Sequence, residues 1–191
     1  MAGVFERAAR RAGLPLAFTR GYHPKPRMRF SPALPLGAES LCEFLELGLA
    51  QPLSPDEVGR RLAEQLPPGF EIQSWEAAVP RDLLARIEGV RWCLQPPEPI
   101  PPGELEAARR RLEQGPLWLE RKGRRRDLGR LVQQLQPTEG GGVEVCCRFD
   151  SGGTARPDEI LAAVLRLEPS RIQRTAVTRL GWQIAPVRDG P

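Results

Sequence analysis

Val90-Arg-Trp-Cys-Leu-Gln95 leads into Pro96-Pro-Glu-Pro-Ile-Pro-Pro102 and then into Glu104-Leu-Glu-Ala-Ala-Arg-Arg-Arg-Leu-Glu-Gln114. The first segment predicts a strand. The second, with five prolines in seven residues, cannot join a ladder because proline has no N–H to donate, and it predicts a rigid connector. The third predicts a helix, with Leu105, Ala108 and Leu112 at helical spacing on the inner side and Arg109–Arg111 mostly outward.

Toward the C-terminus, Leu117–Arg121 reads as a strand, Lys122-Gly-Arg-Arg-Arg126 as a basic turn, Asp127–Leu135 as a short helix and Gly140–Gly142 as a flexible turn. Val143–Phe149 reads as a strand. Pro157–Leu167 reads as a helix whose first turn, with Pro157, Asp158 and Glu159, suits the helix dipole. Ile172–Leu180, with Thr175, Val177 and Thr178, is the last expected strand. With the short helix set aside, the order is strand, helix, strand, strand, helix, strand, the split βαβ pattern of ferredoxin-like folds.

The first half reads in the same terms. Val4–Ala12 predicts a helix closed by Gly13. Leu14–Thr19 predicts a short strand, broken by Gly21, Pro24 and Pro26 and resumed near Arg27. Leu34-Pro-Leu-Gly37 is a turn, and Leu41–Leu49 is a strand. Ser54-Pro-Asp-Glu57 starts a helix, with Ser54 as cap, Pro55 at the first helical position and Glu57 completing a capping box. Val58, Leu62 and Leu66 form its apolar stripe, and Pro67-Pro-Gly69 stops it. Phe70–Trp75 is read as a strand and Arg81–Glu88 as a short helix. The pattern would repeat that of the second half if a strand stood before Val4. The expected fold is therefore α+β, with two ferredoxin-like (split βαβ) halves, the first lacking its N-terminal strand: residues 1–80, residues 81–184, and a loose tail over 185–191.

A chain of 191 residues is long enough to bury a real core. No apolar run approaches the roughly 20 residues of a membrane span, and Met1-Ala-Gly-Val-Phe-Glu-Arg7 lacks the apolar core of a signal peptide. The expected setting is cytoplasmic, with no membrane partner. Four cysteines, Cys42, Cys93, Cys146 and Cys147, contain no Cys-x-x-Cys pair, and one histidine cannot complete a common zinc set. They read as small buried hydrophobes, adjacent Cys146 and Cys147 facing opposite sides of a strand. No metal site and no cofactor are expected.

The net charge of +4 hides an asymmetry. Residues 1–30 carry seven Lys/Arg against one Glu, residues 31–106 carry five against thirteen acids, and residues 107–130 carry nine against three. Of the 28 basic residues, 26 are Arg, which a GC-rich genome would also produce. Arg is nonetheless the better fork for phosphate oxygens, and two basic blocks flanking an acidic one suggest an anionic partner.

The first basic block ends in a proline-stiffened stretch, Arg20–Ser40, which holds the only Tyr and the only His. Arg20, His23, Lys25, Arg27 and Arg29 there are candidates for an RNA phosphate grip, with Tyr22 or His23 stacking on an unpaired base. The bland alternative is a solvated loop. Arg121, Lys122, Arg124, Arg125 and Arg126 are candidates for a second contact on the same RNA, against the alternative of an exposed charge run. His23 has no nucleophile pattern beside it, and nothing in the spacing selects Asp127 or Glu39 as its partner, so no catalytic residue is assigned. Glu39, Glu43 and Glu46 read as the wet face of an edge strand, although Glu43 shares the parity of Leu45 and demands a bulge.

Phe5-Glu-Arg-Ala-Ala-Arg-Arg-Ala-Gly-Leu-Pro-Leu16, Gly21-Tyr-His-Pro-Lys-Pro-Arg27, Leu34-Pro-Leu-Gly-Ala-Glu-Ser40 and Glu43-Phe-Leu-Glu46 resemble the radical-SAM-linked protein family, whose module is catalogued as a domain of unknown function, number 2344. The resemblance is specific over residues 4–46 and looser beyond. It implies a companion of cobalamin-type radical SAM proteins, in which the partner carries the cluster cysteines and the chemistry. The resulting expectation is a non-catalytic accessory module of a radical SAM enzyme that binds RNA, or an RNA-bearing substrate, through its basic loops. The alternative is a protein–protein adaptor that stabilises or regulates that enzyme without touching nucleic acid.

Overall fold

A computed structural model describes residues 2–77, 83–121 and 123–186. In chain order the elements are α1 (Ala2–Arg11), β1 (Met28–Phe30), β2 (Glu39–Ser40), β3 (Leu45–Leu47), α2 (Pro55–Ala63), β4 (Ile87–Gln95), α3 (Pro102–Glu113), β5 (Trp118–Arg121), β6 (Arg124–Asp127), α4 (Leu128–Leu131), β7 (Val132–Pro137), β8 (Val143–Arg148), α5 (Pro157–Glu159), α6 (Pro169–Gln173) and β9 (Ala176–Ile184). The chain is mixed α+β, with three sheets among the described residues. It divides into two compact units, Met1–Ala33 with Glu43–Leu84, and Leu34–Cys42 with Ala85–Pro191. No helix among the described residues is long and apolar enough to cross a membrane.

In the first unit, α1 buries Ala8 and Ala9 and ends at Gly13, whose φ of 63° only glycine adopts without strain. Leu14, Leu16 and Leu62 complete the small core, with Phe5, Leu45, Leu47 and Val58 packed around it. β1 and β3 pair antiparallel, Met28 opposite Leu47 and Phe30 opposite Leu45. Ser54 caps α2 by accepting from the Glu57 N–H at 3.2 Å, with Pro55 at the first helical position. The Glu57 carboxylate does not close the expected capping box; it takes Arg61 one turn on. Phe70–Trp75 forms no strand. Its side chains pack instead: Phe70 stands edge-on to Phe5 at 5.4 Å, and Ile72 lies against the core.

The second unit holds a five-stranded sheet in the order β2-β9-β4-β8-β7. Every neighbouring pair is antiparallel except β2 with β9. Alternation puts Val90, Trp92 and Leu94 of β4 and Val143, Val145 and Cys147 of β8 in the core. There they meet Leu105 and Ala108 of α3, Leu128 and Leu131 of α4, and Ile160, Leu161 and Val164. On the other side of the sheet Arg91 donates to Glu144 at 2.9 Å.

Several elements depart from expectation for definable reasons. Of the strand expected over Leu41–Leu49 only Leu45–Leu47 is strand, because Glu43 turns to accept from Ser31 Oγ at 2.5 Å while Ser31 Oγ accepts from the Phe44 N–H at 3.2 Å. This contact also resolves the parity conflict between Glu43 and Leu45. The helix expected over Asp127–Leu135 stops at Leu131, and Val132–Pro137 is strand. Val132 and Leu135, three apart, suggest helix, but a register shift between Val132 and Gln134 brings both into the core from a strand. The expected Pro157–Leu167 helix widens into a π-turn over Ile160–Val164 and closes with Arg166 at φ 55°. The last strand begins at Ala176, not Ile172, because Pro169 starts a helical turn that runs to Gln173. Of the Arg81–Glu88 helix, Leu84–Arg86 is one 3-10 turn and the strand already begins at Ile87; Arg81 and Asp82 lie outside the described residues, as do positions 187–191 of the tail.

Candidate functional site

The arm that carries Arg20 to Arg27 is held by backbone bonds at its base. The Ala17 N–H donates to the Gly48 carbonyl, Gly48 to Arg27, and Arg27 back to Ala17, each at 2.8 Å. One step outward, Thr19 N–H donates to the Lys25 carbonyl at 2.8 Å, and Lys25 N–H to Thr19 Oγ1 at 3.0 Å. Three chain segments therefore meet at Gly48, where a Cβ would come within 2.9 Å of the Arg27 Cβ. Pro24 and Pro26 restrict the remaining backbone freedom. The fixed base leaves residues 20–24 as the tip.

Arg20, Tyr22, His23, Lys25 and Arg27 are all exposed, Tyr22 at 95%. The Tyr22 and His23 rings stand edge to face with centroids 5.0 Å apart. Among the described residues Arg20, Lys25 and Arg27 form no ion pair. Arg29 differs: it lies directly opposite Glu46 in the β1–β3 register, its guanidinium 3.5 Å from that carboxylate. The arm presents three uncompensated cations and an open aromatic ring on a restrained frame, which suits phosphate oxygens and an unstacked base.

The second basic cluster is a hairpin rather than a loose turn. β5 and β6 pair antiparallel from Trp118–Asp127 to Arg121–Arg124. Alternation divides its arginines. Arg121 turns inward and donates to Glu159 at 3.0 Å and Asp158 at 3.2 Å; the hydrogen bond it donates to Glu159, then the Asp158 charge, hold its pKa up. Arg126 turns inward as well, donating to the Thr154 carbonyl at 3.1 Å and lying 3.9 Å from Glu159. These two arginines neutralise a buried carboxylate, Glu159. Arg125 faces outward, its guanidinium 4.4 Å from the centroid of Trp118. Lys122 lies outside the described residues, and so does the Arg124 side chain.

Three features escaped the sequence. Trp118 is half exposed; it has the parity opposite to Leu117 and Leu119, a signal that was available in the expected strand. Arg179 is buried, with Trp182 at 4.3 Å and Trp92 at 4.7 Å from its guanidinium, a placement no local pattern announces. Leu36 and Leu41 are exposed on either side of β2. The cysteines separate as their parity suggests, Cys147 buried and Cys146 half-buried. Asp127 is occupied in capping α4, accepting from the Leu117 and Gly129 N–H groups. Among the described residues no group of three or more His, Cys, Asp or Glu is placed to hold a metal ion.

Residues 1–157 match the family described as uncharacterized protein conserved in bacteria, domain of unknown function 2344. The match spans most of the chain, and the chain belongs to that family. No curated protein matches it.

Proposed function

We propose that this chain is a non-catalytic accessory module that binds RNA, or an RNA-bearing substrate, and serves a radical SAM enzyme. The observation that carries the RNA reading is the arm: among the described residues Arg20, Lys25 and Arg27 form no ion pairs, and they share with the exposed Tyr22 ring a base held by backbone bonds. A backbone already held in place loses less conformational entropy when its cations meet phosphate. The enzyme partner rests on the resemblance carried by residues 4–46, and the four free thiols suit the reducing cytoplasm. The ferredoxin-like reading belongs to the same proposal. For the second half it draws support from the antiparallel order β9-β4-β8-β7 with α3 and α5 on its crossovers. For the first half it draws on α1, the β1–β3 pair and α2.

The test is RNA binding by the purified full chain across a salt series. Wild type should lose affinity steeply as salt rises, and the Arg20→Ala, Lys25→Ala, Arg27→Ala triple variant should flatten that dependence by about two units of log–log slope, at roughly 0.7 per phosphate contact on a single strand. Absence of salt-sensitive RNA binding by wild type overturns the reading.

The adaptor reading has one specific observation in its favour. Leu36 and Leu41 lie exposed around β2, the outermost strand of the five-stranded sheet, and an edge strand beside exposed apolar side chains fits strand addition by a partner. It predicts that Leu36→Ser with Leu41→Ser abolishes co-purification of the enzyme while arm substitutions leave it intact.

A further inference from the structure

The outer face of the β5–β6 hairpin carries Trp118, Glu120 and Arg125. Trp118 remains 50% exposed although Arg125 lies over its ring at 4.4 Å. The other tryptophans have structural occupations: Trp92 and Trp182 flank Arg179, and Trp75 covers Gly59 and donates to Asp56 at 2.7 Å. Among the described residues Trp118 makes no side-chain hydrogen bond and Arg125 no ion pair; each has the other as its partner. Leaving that much indole in water forgoes burial worth about 25 cal/mol per Å². Meanwhile the inner face of the same hairpin is fixed by Arg121 and Arg126 on Glu159. The exposed ring therefore sits on a held frame.

We infer that Trp118 and Arg125 form a stacking platform for an unpaired nucleobase, so that the RNA this chain takes is single-stranded. The inference rests on the RNA-binding reading above and names its substrate class. The chemistry selects a base over a protein side chain. A protein anchor at the centre of an interface has apolar neighbours, and charge is depleted there; Trp118 shares its face with Glu120 and Arg125, both charged and exposed. A base needs only one π-face; Arg125 covers the other face of the ring, where its cation is placed for the adjoining phosphate. In a duplex the bases are already stacked and paired, and their faces are closed to an indole.

The experiment titrates the full chain with an unpaired oligoribonucleotide, on the order of ten nucleotides long, and with the same sequence as a duplex, for wild type, Trp118→Leu and Trp118→Phe. Leu keeps an apolar side chain without a π-face and Phe keeps a ring, so the pair separates stacking from general apolar contact; circular dichroism checks that each variant is folded. The expected result is an affinity loss of about tenfold or more for the single strand with Leu, near-recovery with Phe, an unchanged salt slope, and no change for the duplex. Unchanged single-strand binding by Trp118→Leu, while the Arg20, Lys25, Arg27 triple variant is weakened, overturns the platform and leaves the proposed function standing. Equal losses for single strand and duplex overturn it too, as does intact RNA binding with loss of a co-purifying protein. A wild type that binds no RNA overturns both.

Discussion

The guanidinium of Arg126 and the carboxylate of Glu159 stand 3.9 Å apart, their side chains only 15% and 4% exposed. Glu159 also accepts from Arg121 at 3.0 Å and from the Arg156 N–H at 3.0 Å. A buried carboxylate is stable only when charge and hydrogen bonds replace its lost water. Arg126 depends on it in turn, since its Nε and Nη2 are buried without hydrogen-bond partners among the described residues. Glu159→Gln leaves Arg126 with the half-exposed Asp150 at 3.8 Å in place of its buried partner, and should cost about 3 kcal/mol in urea denaturation, the usual order for breaking a buried pair. RNA binding by the folded fraction should not change. A loss below about 0.5 kcal/mol, the range of a neutral surface substitution, would show that the cluster is not a structural clamp.

A second packing relation sets two known effects against each other. The Trp75 ring lies so close over Gly59 that an added Cβ would come within 2.1 Å of its Cδ2. Gly59 sits inside α2, where alanine is ordinarily better by roughly 1 kcal/mol. Displacing a ring that is more than half buried, together with its bond to Asp56, should outweigh that gain. Gly59→Ala is expected to destabilise by about 1 kcal/mol in wild type, yet to stabilise by about 0.5–1 kcal/mol in a Trp75→Ala background. The same sign in both backgrounds would mean that the ring does not explain the glycine.

The candidate site was legible where sequence patterns act locally. The arm was visible as cations between prolines, and the α2 start as Ser54 before Pro55. The division of labour within 121–126 was not: a run of arginines has no faces until the hairpin register assigns Arg121 and Arg126 inward and Arg125 outward. Val132 and Leu135 misled for a related reason, because a bulge changes the period and leaves no residue signature. Glu43 looked like a wet strand position because its partner, Ser31, is twelve residues away and in another segment. Parity could have exposed Trp118; no local rule could have placed Arg179 between two indoles.

Burial in the sheet core pushes the Cys147 thiol from 9.0 up to about 12, with Cys146 adding a smaller contribution. The folded state keeps this proton where the unfolded state releases it. The associated stability is therefore fully present below pH 9 and is lost as pH rises toward 12. Each unit of difference is worth about 1.4 kcal/mol at most. Wild type should lose stability across that window faster than Cys147→Ala, by about one proton of linkage, in denaturation curves taken at successive pH values. Parallel curves would place the thiol's shift elsewhere.

Arg27 and Arg29 share one parity on the edge of the arm, yet only Arg29 faces a carboxylate, Glu46, at 3.5 Å. A phosphate that reaches Arg29 must compete with that carboxylate, whereas Arg27 lies opposite the backbone of Gly48. If the arm grips RNA, Arg27→Ala should lower the salt slope by about 0.7, one single-strand phosphate contact. Arg29→Ala should lower it by less. Removing the competitor should act in the opposite direction: Glu46→Gln takes away the carboxylate opposite Arg29 and should raise both affinity and slope, at little cost in stability because the Arg29 side chain is 56% exposed. Glu46→Gln also adds one net positive charge, so it is the inequality of the Arg27→Ala and Arg29→Ala losses that separates this grip from diffuse attraction to a net-positive chain. Diffuse attraction would make the Arg27→Ala and Arg29→Ala losses equal, and that equality, measured in the same salt series, would remove the arm from the proposed interface.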